Sequence, residues 1–128
     1  MKFKNSKKRI LLVDDDPDIT TSFSLSLNDT GLFEVETYND SVEALSNFKA
    51  NSYDFVLLDI KMPNMSGFEL YDKIRKLDGR VKVCFISALD PNSDELRDHF
   101  LSLTIDCFIP KPIEVRELVN RIQTELLR

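Results

Sequence analysis

Residues 10–19 read ILLVDDDPDI: four aliphatics, then three aspartates, then a proline. Ile10–Val13 is a continuous apolar run, the pattern of a strand covered on both faces. Asp16 before Pro17 reads as a helix N-cap with proline at the first helical position. The stretch is thus a strand, a short turn and a helix start, with Asp14 and Asp15 left at the strand's carboxyl end. Neighbouring carboxylates repel, and a fold gains nothing by crowding them there unless another group converges on the same point.

The same unit recurs along the chain. Strand-like runs fall at FEVETY (33–38), FVLLD (55–59), VKVCFIS (81–87) and CFI (107–109). All but FEVETY are nearly continuous apolar runs; FEVETY alternates and suits a half-exposed edge strand. Helical patterns lie between them. Ile19, Phe23 and Leu27 are spaced by four, and Asp40 with Glu43 forms a capping-box-like pair ahead of Val42, Leu45 and Phe48. Gly67 opens a helix carrying Leu70, Ile74 and Leu77, with Gly79 after its end. Asn92 or Ser93 caps one with Leu96, Phe100 and Leu103, and a last helix after Pro112 repeats Val115, Leu118, Val119, Ile122 and Leu126. The order is (βα)₅. Strands joined by helical crossovers lie parallel with right-handed connections, so an α/β three-layer sandwich is expected, with its ligand site at the strands' carboxyl ends.

At 128 residues the chain is most simply one domain, with a basic leader over 1–8 and a core over 9–127. No apolar run approaches the ~20 residues of a membrane span, and the four aliphatics after MKFKNSKKR are too few for a secretory signal. The net charge of −5 argues against the domain gripping nucleic acid, although the cations of residues 2–9 leave a nucleic-acid arm as the alternative to a solvated leader. Cys84 and Cys107 have no metal-ligand spacing and no CxxC partner. Each sits in an apolar run, where a thiol is expected as a small buried hydrophobe in a reducing, cytoplasmic setting.

Reading the residue after each strand gives Asp14 and Asp15, then Asp59, then Ser87 at the end of the fourth run, and Lys111 two residues beyond the fifth. Taken singly, a strand-end aspartate is more often a cap than a ligand, and a lone serine or lysine is more often solvated. Five compatible groups at one end of successive β–α units point to a site. Three carboxylates with open positions for water suit a hard divalent ion, Mg²⁺ best and Mn²⁺ as the alternative. Turnover machinery is missing. The single histidine, His99, builds no Ser-His-Asp or Cys-His arrangement, and no GxGxxG or GxxxxGK[ST] loop is present. Carboxylate, cation and hydroxyl beside a metal form a set able to accept a phosphoryl group.

LLVDDDPDI, VLLDIKMPNMSGFEL, CFISA and FIPKPI resemble, in order and spacing, the signature blocks of response-regulator receiver domains of two-component signalling. The resemblance runs from about residue 9 to 127. It implies a flavodoxin-like fold with strand order 2-1-3-4-5, which sets strands one and three side by side. It also implies Asp59 as phosphoacceptor, Asp15 as a direct metal ligand, Asp14 as an acid acting partly through water, and the backbone carbonyl of Lys61 as a further ligand. Ser87 and Lys111 would bind phosphoryl oxygens, Lys111–Pro112 matches the family's cis peptide, and Phe108 holds the switch-aromatic position, where plain core packing is the alternative. Ser87 would move toward the phosphoryl group and Phe108 into the space it leaves. That would alter the face made by the helix after Ser93, the last strand and the last helix.

The implied partners are a sensor histidine kinase or phosphotransfer protein as donor and a downstream effector or fused output domain as reader, with a phosphorylation-linked homodimer as one form of output. Turnover would be limited to the domain's own phosphorylation and dephosphorylation. Three alternatives remain: a phosphorylation-independent interaction module, a phosphohydrolase working through an aspartyl phosphate, and a flavin-binding flavodoxin. The module would usually lose an acid or the lysine, and the hydrolase would commonly want an acid where Lys61 stands. A flavodoxin would want a phosphate-binding loop where this chain is acidic. Lys61, Leu89 and Pro110 adjoin the site with effects of unassigned sign.

Overall fold

The computed structural model describes residues 7–90, 92–94, 97–98 and 107–128. Its strands are β1 (Lys8–Val13), β2 (Phe33–Tyr38), β3 (Phe55–Leu58), β4 (Lys82–Ser87) and β5 (Phe108–Pro110). Its helices are α1 (Pro17–Asp29), α2 (Ser41–Asn47), α3 (Gly67–Leu77) and α4 (Val115–Leu126). The strands pair in parallel in the order β2-β1-β3-β4-β5, so β1 and β3 are neighbours and β2 is an edge. Leu96, His99, Phe100, Leu103 and the leader residues 1–6 lie outside the described residues.

Because successive strand residues face opposite sides, the apolar runs divide into two layers. Leu11, Val13, Val56, Leu58, Val83 and Phe85 pack with Ala44, Phe48, Leu70 and Ile74, so α2 and α3 cover that face. Ile10, Leu12, Phe55, Leu57, Cys84, Ile86, Cys107 and Ile109 pack with Leu27, Leu118 and Ile122, so α1 and α4 cover the other. Burying a side chain such as Leu57 contributes about 1.5–3 kcal/mol, and only a sheet covered on both sides makes every strand position count.

Local chemistry sets the helix starts. Asp16 caps α1 by accepting the Asp18 N–H, Asp40 caps α2 through the Glu43 N–H, and Ser66 with Glu69 closes a full capping box on α3. Two expected core positions face outward, Val42 (44% exposed) and Leu77 (53%). In α2 the inner face belongs to Ser41 and Ala44, and the Ser41 hydroxyl donates to the Met65 carbonyl at 2.7 Å. Leu77 is the last residue of α3, beyond the turn at which Ile74 meets the sheet.

The cysteines correct the reading of two separate thiols. Both are buried as expected, but Cys84 and Cys107 form a disulfide. Phe85 pairs with Phe108 across β4 and β5, which sets the preceding residues, Cys84 and Cys107, opposite each other with Cα atoms 4.7 Å apart. That separation lies within the range a disulfide spans. The runs themselves carry no register, so the sequence could not bring together two residues 23 apart.

Candidate functional site

Parallel strands deliver their carboxyl ends to one edge of the sheet. Asp14 follows Val13, Asp59 follows Leu58, Ser87 ends β4, and Lys111 follows Pro110. The β1–β3 register pairs Val13 with Leu58, which sets Asp14 beside Asp59. Asp14, Asp15 and Asp59 each offer a carboxylate oxygen within 4.8 Å of the others. Asp14 and Asp59 are buried and Asp15 is exposed. An all-oxygen, partly open donor set of this kind fits a hard divalent cation.

Lys111 reaches back over the pair. Its Nζ donates to Asp14 Oδ2 at 2.7 Å and lies 3.7 Å from Asp59 Oδ1. The second oxygen of Asp14 accepts the Asp16 N–H at 3.0 Å, and Asp59 Oδ1 accepts the N–H of Ile60 at 2.9 Å. One cation therefore serves two buried carboxylates. Burial first, and the charge of Asp14 second, push the Asp59 carboxyl up to about 6, against the opposing pull of Lys111. A carboxyl poised there gains from any cation that enters.

Asp59, Lys61, Ser87, Ala88, Leu89 and Lys111 line one pocket of about 330 Å³ beside these acids. The Ser87 oxygen accepts the Leu89 N–H at 3.2 Å, which leaves the hydroxyl proton to be donated elsewhere. Lys111 N–H donates to the Ser87 carbonyl at 2.8 Å, tying the two strand ends together. The Lys111–Pro112 bond is cis. Phe108 is half-buried against the α2/α3 side of the core, and Pro110 is exposed opposite Ser87.

Several bracing residues escape a reading confined to strands one, three, four and five. Asn39, immediately after β2, donates from Nδ2 to the Asp14 carbonyl at 2.9 Å and to Thr20 Oγ1 at 2.8 Å. It holds the acidic turn to α1, and reading the end of β2 as the others were read finds it. Asn64 takes a positive φ of 71°, which an asparagine tolerates, within the loop from Asp59 to α3. The loop closes where Gly67 N–H donates to the Ile60 carbonyl at 2.7 Å.

At Gly67 a Cβ would collide with the backbone carbonyl of Asp59. Gly67→Ala is therefore expected to cost about 1–3 kcal/mol through overpacking and to weaken divalent-ion binding by displacing Asp59. Thermal melts with and without Mg²⁺ check both. Near a helix start alanine is otherwise the better helix former, so a gain in stability refutes the close packing.

A family model for the response regulator receiver domain matches residues 10–123. The transcriptional regulatory protein PrrA of Mycobacterium leprae is 37% identical over 123 residues, covering 96% of this chain and 52% of that protein. The chain spans about half the length of the curated relatives it matches. A CheY-like response regulator receiver domain protein from Methanospirillum hungatei superposes with a TM-score of 0.81 at 33% identity, with 94% of each chain covered. TrrA, a response regulator from Thermotoga maritima in complex with Mg²⁺ and beryllofluoride, gives 0.77 at 33% identity, covering 92% of this chain and 98% of that one.

Proposed function

This chain belongs to the response regulator receiver family, and from that premise we propose that it is a signalling switch that takes a phosphoryl group onto Asp59 from a phosphohistidine on a partner. The observation that carries the reading is the convergence of Asp14, Asp15 and Asp59 within 4.8 Å under the Lys111 ammonium. Residues 9–127 are the receiver core of the proposal, and the donor is a sensor histidine kinase or a phosphotransfer protein. The relatives are about twice as long as this chain and are named as transcriptional regulators, which supports a fused output domain or a separate effector as the reader.

A divalent ion, Mg²⁺ first and Mn²⁺ second, would be held by Asp14, Asp15, Asp59 and the Lys61 carbonyl, and TrrA's complex supports the choice. When bound it supplies positive charge against these carboxylates and the incoming phosphoryl oxygens. An Asp59 carboxylate oxygen attacks phosphorus in line as the phosphorus–nitrogen bond to the donor imidazole breaks, and the leaving ring takes up a proton from solvent. Lys111 neutralises one phosphoryl oxygen and the Ser87 hydroxyl donates to another. These contacts bias the β4 and β5 ends. Inverting a 1:99 population needs about 5.5 kcal/mol, and charge-assisted hydrogen bonds give about 1.5–3 kcal/mol each, so about two to four such contacts are required.

Among the described residues no helix is long and apolar enough to cross a membrane. The proposal keeps the domain in the cytoplasm, gives it no direct nucleic-acid contact, and limits its chemistry to its own phosphorylation and dephosphorylation. Intact mass after incubation with acetyl phosphate and Mg²⁺ tests it, the expected result being a gain of one phosphoryl mass. Absence of that gain, with no amide resonance displaced by Mg²⁺ and beryllofluoride, overturns the reading.

A further inference from the structure

The Cys84–Cys107 disulfide lies outside the pocket and takes no part in the chemistry above. Its position is nevertheless specific. Cys84 immediately precedes Phe85, Cys107 immediately precedes Phe108, and Phe85 and Phe108 are partners across β4 and β5. Ser87 and Lys111, the two phosphoryl-facing groups of the proposal, hang from the far end of the same strand pair and are joined by the Lys111 N–H to Ser87 carbonyl bond. A covalent link here fixes the spacing of the two strands at the base of the segment that would have to move. It packs on the α1/α4 side of the sheet, while Phe108 packs on the α2/α3 side. The link therefore restrains the backbone without obstructing the aromatic ring.

We propose that Cys84 and Cys107 are a reversible dithiol–disulfide site whose state sets how far β5 follows a change at Asp59. Closing the bond removes two electrons and two protons from the pair. A small-molecule disulfide of the glutathione class accepts them, one cysteine thiolate displacing a first thiol and the other cysteine displacing the second. Opening runs the same exchange backwards.

Two features make the bond reversible rather than a permanent staple. β5 is a three-residue strand at the edge of the sheet, so the sulfurs can be reached by local opening without global unfolding. The Arg121 guanidinium lies 3.7 Å from Cys107 Sγ and is held on α4 by Glu125, with Nε 3.2 Å from Oε2. That cation stabilises a thiolate on Cys107, the better leaving group when a reductant attacks Cys84. The reversible pair stands on this geometry; only its coupling to Asp59 rests on the receiver reading.

The test uses the full chain equilibrated in mixtures of reduced and oxidised glutathione, acid-quenched, alkylated after denaturation and weighed intact. Passage from two alkylations to none in one transition, without a singly alkylated species accumulating, is expected. Two alkylations at every ratio, or none after excess dithiothreitol under native conditions, overturns the reversible pair. Mg²⁺ with beryllofluoride is then added to the oxidised and reduced forms, and amide resonances of residues 82–87 and 107–110 are followed. Displacements about twofold smaller in the oxidised form are expected, and the Cys84→Ala/Cys107→Ala chain should behave as reduced in either buffer. Equal displacements in both forms overturn the coupling. Displacements in neither form overturn the coupling and the receiver reading together, while the thiol titration stands on its own.

Discussion

In metal-free buffer at pH 8, Asp59→Asn is expected to stabilise the protein by about 2 kcal/mol while removing all phosphoryl uptake. Asp59 is buried beside Asp14, and its carboxyl is pushed up to about 6 from an unfolded value of 3.8, by burial first and by Asp14 second. A carboxyl whose folded value is raised binds its proton more tightly in the native state. Its ionisation therefore penalises folding above pH 6, the penalty fades as pH falls from 6 to 3.8, and it is absent below. At about 1.4 kcal/mol per pH unit the full penalty is about 3 kcal/mol, and water in the adjoining pocket screens part of it. Asparagine keeps an oxygen for the Ile60 N–H and carries no charge. The variant should melt roughly 8 °C higher at pH 8 and within about 2 °C of the parent at pH 4. Mg²⁺ should narrow the gap at pH 8, because a cation relieves the same repulsion in the parent. A variant that melts lower than the parent at pH 8, or a gap that widens toward pH 4, sinks the electrostatic account.

The same crowding of buried charge, Asp14 beside Asp59, is what the aspartates of ILLVDDDPDI and the end of FVLLD foreshadow. Strand-end polar residues are legible because a covered parallel sheet leaves its apolar runs unbroken and concentrates chemistry where they stop. That rule points to Asp14, Asp15, Asp59, Ser87 and Lys111 as candidates; the β2-β1-β3-β4-β5 order brings the three acids together, and Ser87 and Lys111 line the pocket beside Asp59. Other features depend on relations the linear pattern does not carry. Pairing register sets Cys84 opposite Cys107, and no count of residues between them reveals it. Backbone approach is equally hidden: Gly67 reads as a helix start, yet its want of a Cβ serves the carbonyl of Asp59. Val42 sits at an inward spacing but is exposed, because in seven-residue α2 Ser41 and Ala44 take the inner face, with the Ser41 hydroxyl on the Met65 carbonyl.

Removing the Lys111 ammonium should have the opposite sign to Asp59→Asn and a larger size. Lys111→Ala is expected to destabilise the metal-free protein by about 3–5 kcal/mol at pH 8, the usual consequence of deleting one partner of a buried ion pair. Asp14 has a side chain only 1% exposed and, among the described residues, takes its one close cationic contact from Lys111 at 2.7 Å, while Asp59 is 3.7 Å from the same nitrogen. Without it, two neighbouring buried carboxylates face each other with, among the described residues, the backbone N–H groups of Asp16 and Ile60 as compensation. Protonating Asp59 is the available relief, so the loss should shrink markedly between pH 8 and pH 5, and added Mg²⁺ should recover part of it. The decisive comparison is the double variant. If repulsion across the Asp14–Asp59 pair is the cause, Asp59→Asn should restore more stability in the Lys111→Ala background than it adds to the parent, by about 1–2 kcal/mol. Equal increments in both backgrounds would mean that Lys111 acts through its packing over the strand ends and not through its charge. In the proposed phosphoryl reaction the same ammonium is expected to contribute about tenfold in rate, equivalent to about 1.4 kcal/mol, so acetyl phosphate labelling of Lys111→Ala should be slowed rather than abolished. Lys111→Arg, which keeps the charge and changes the reach, should fall between the two.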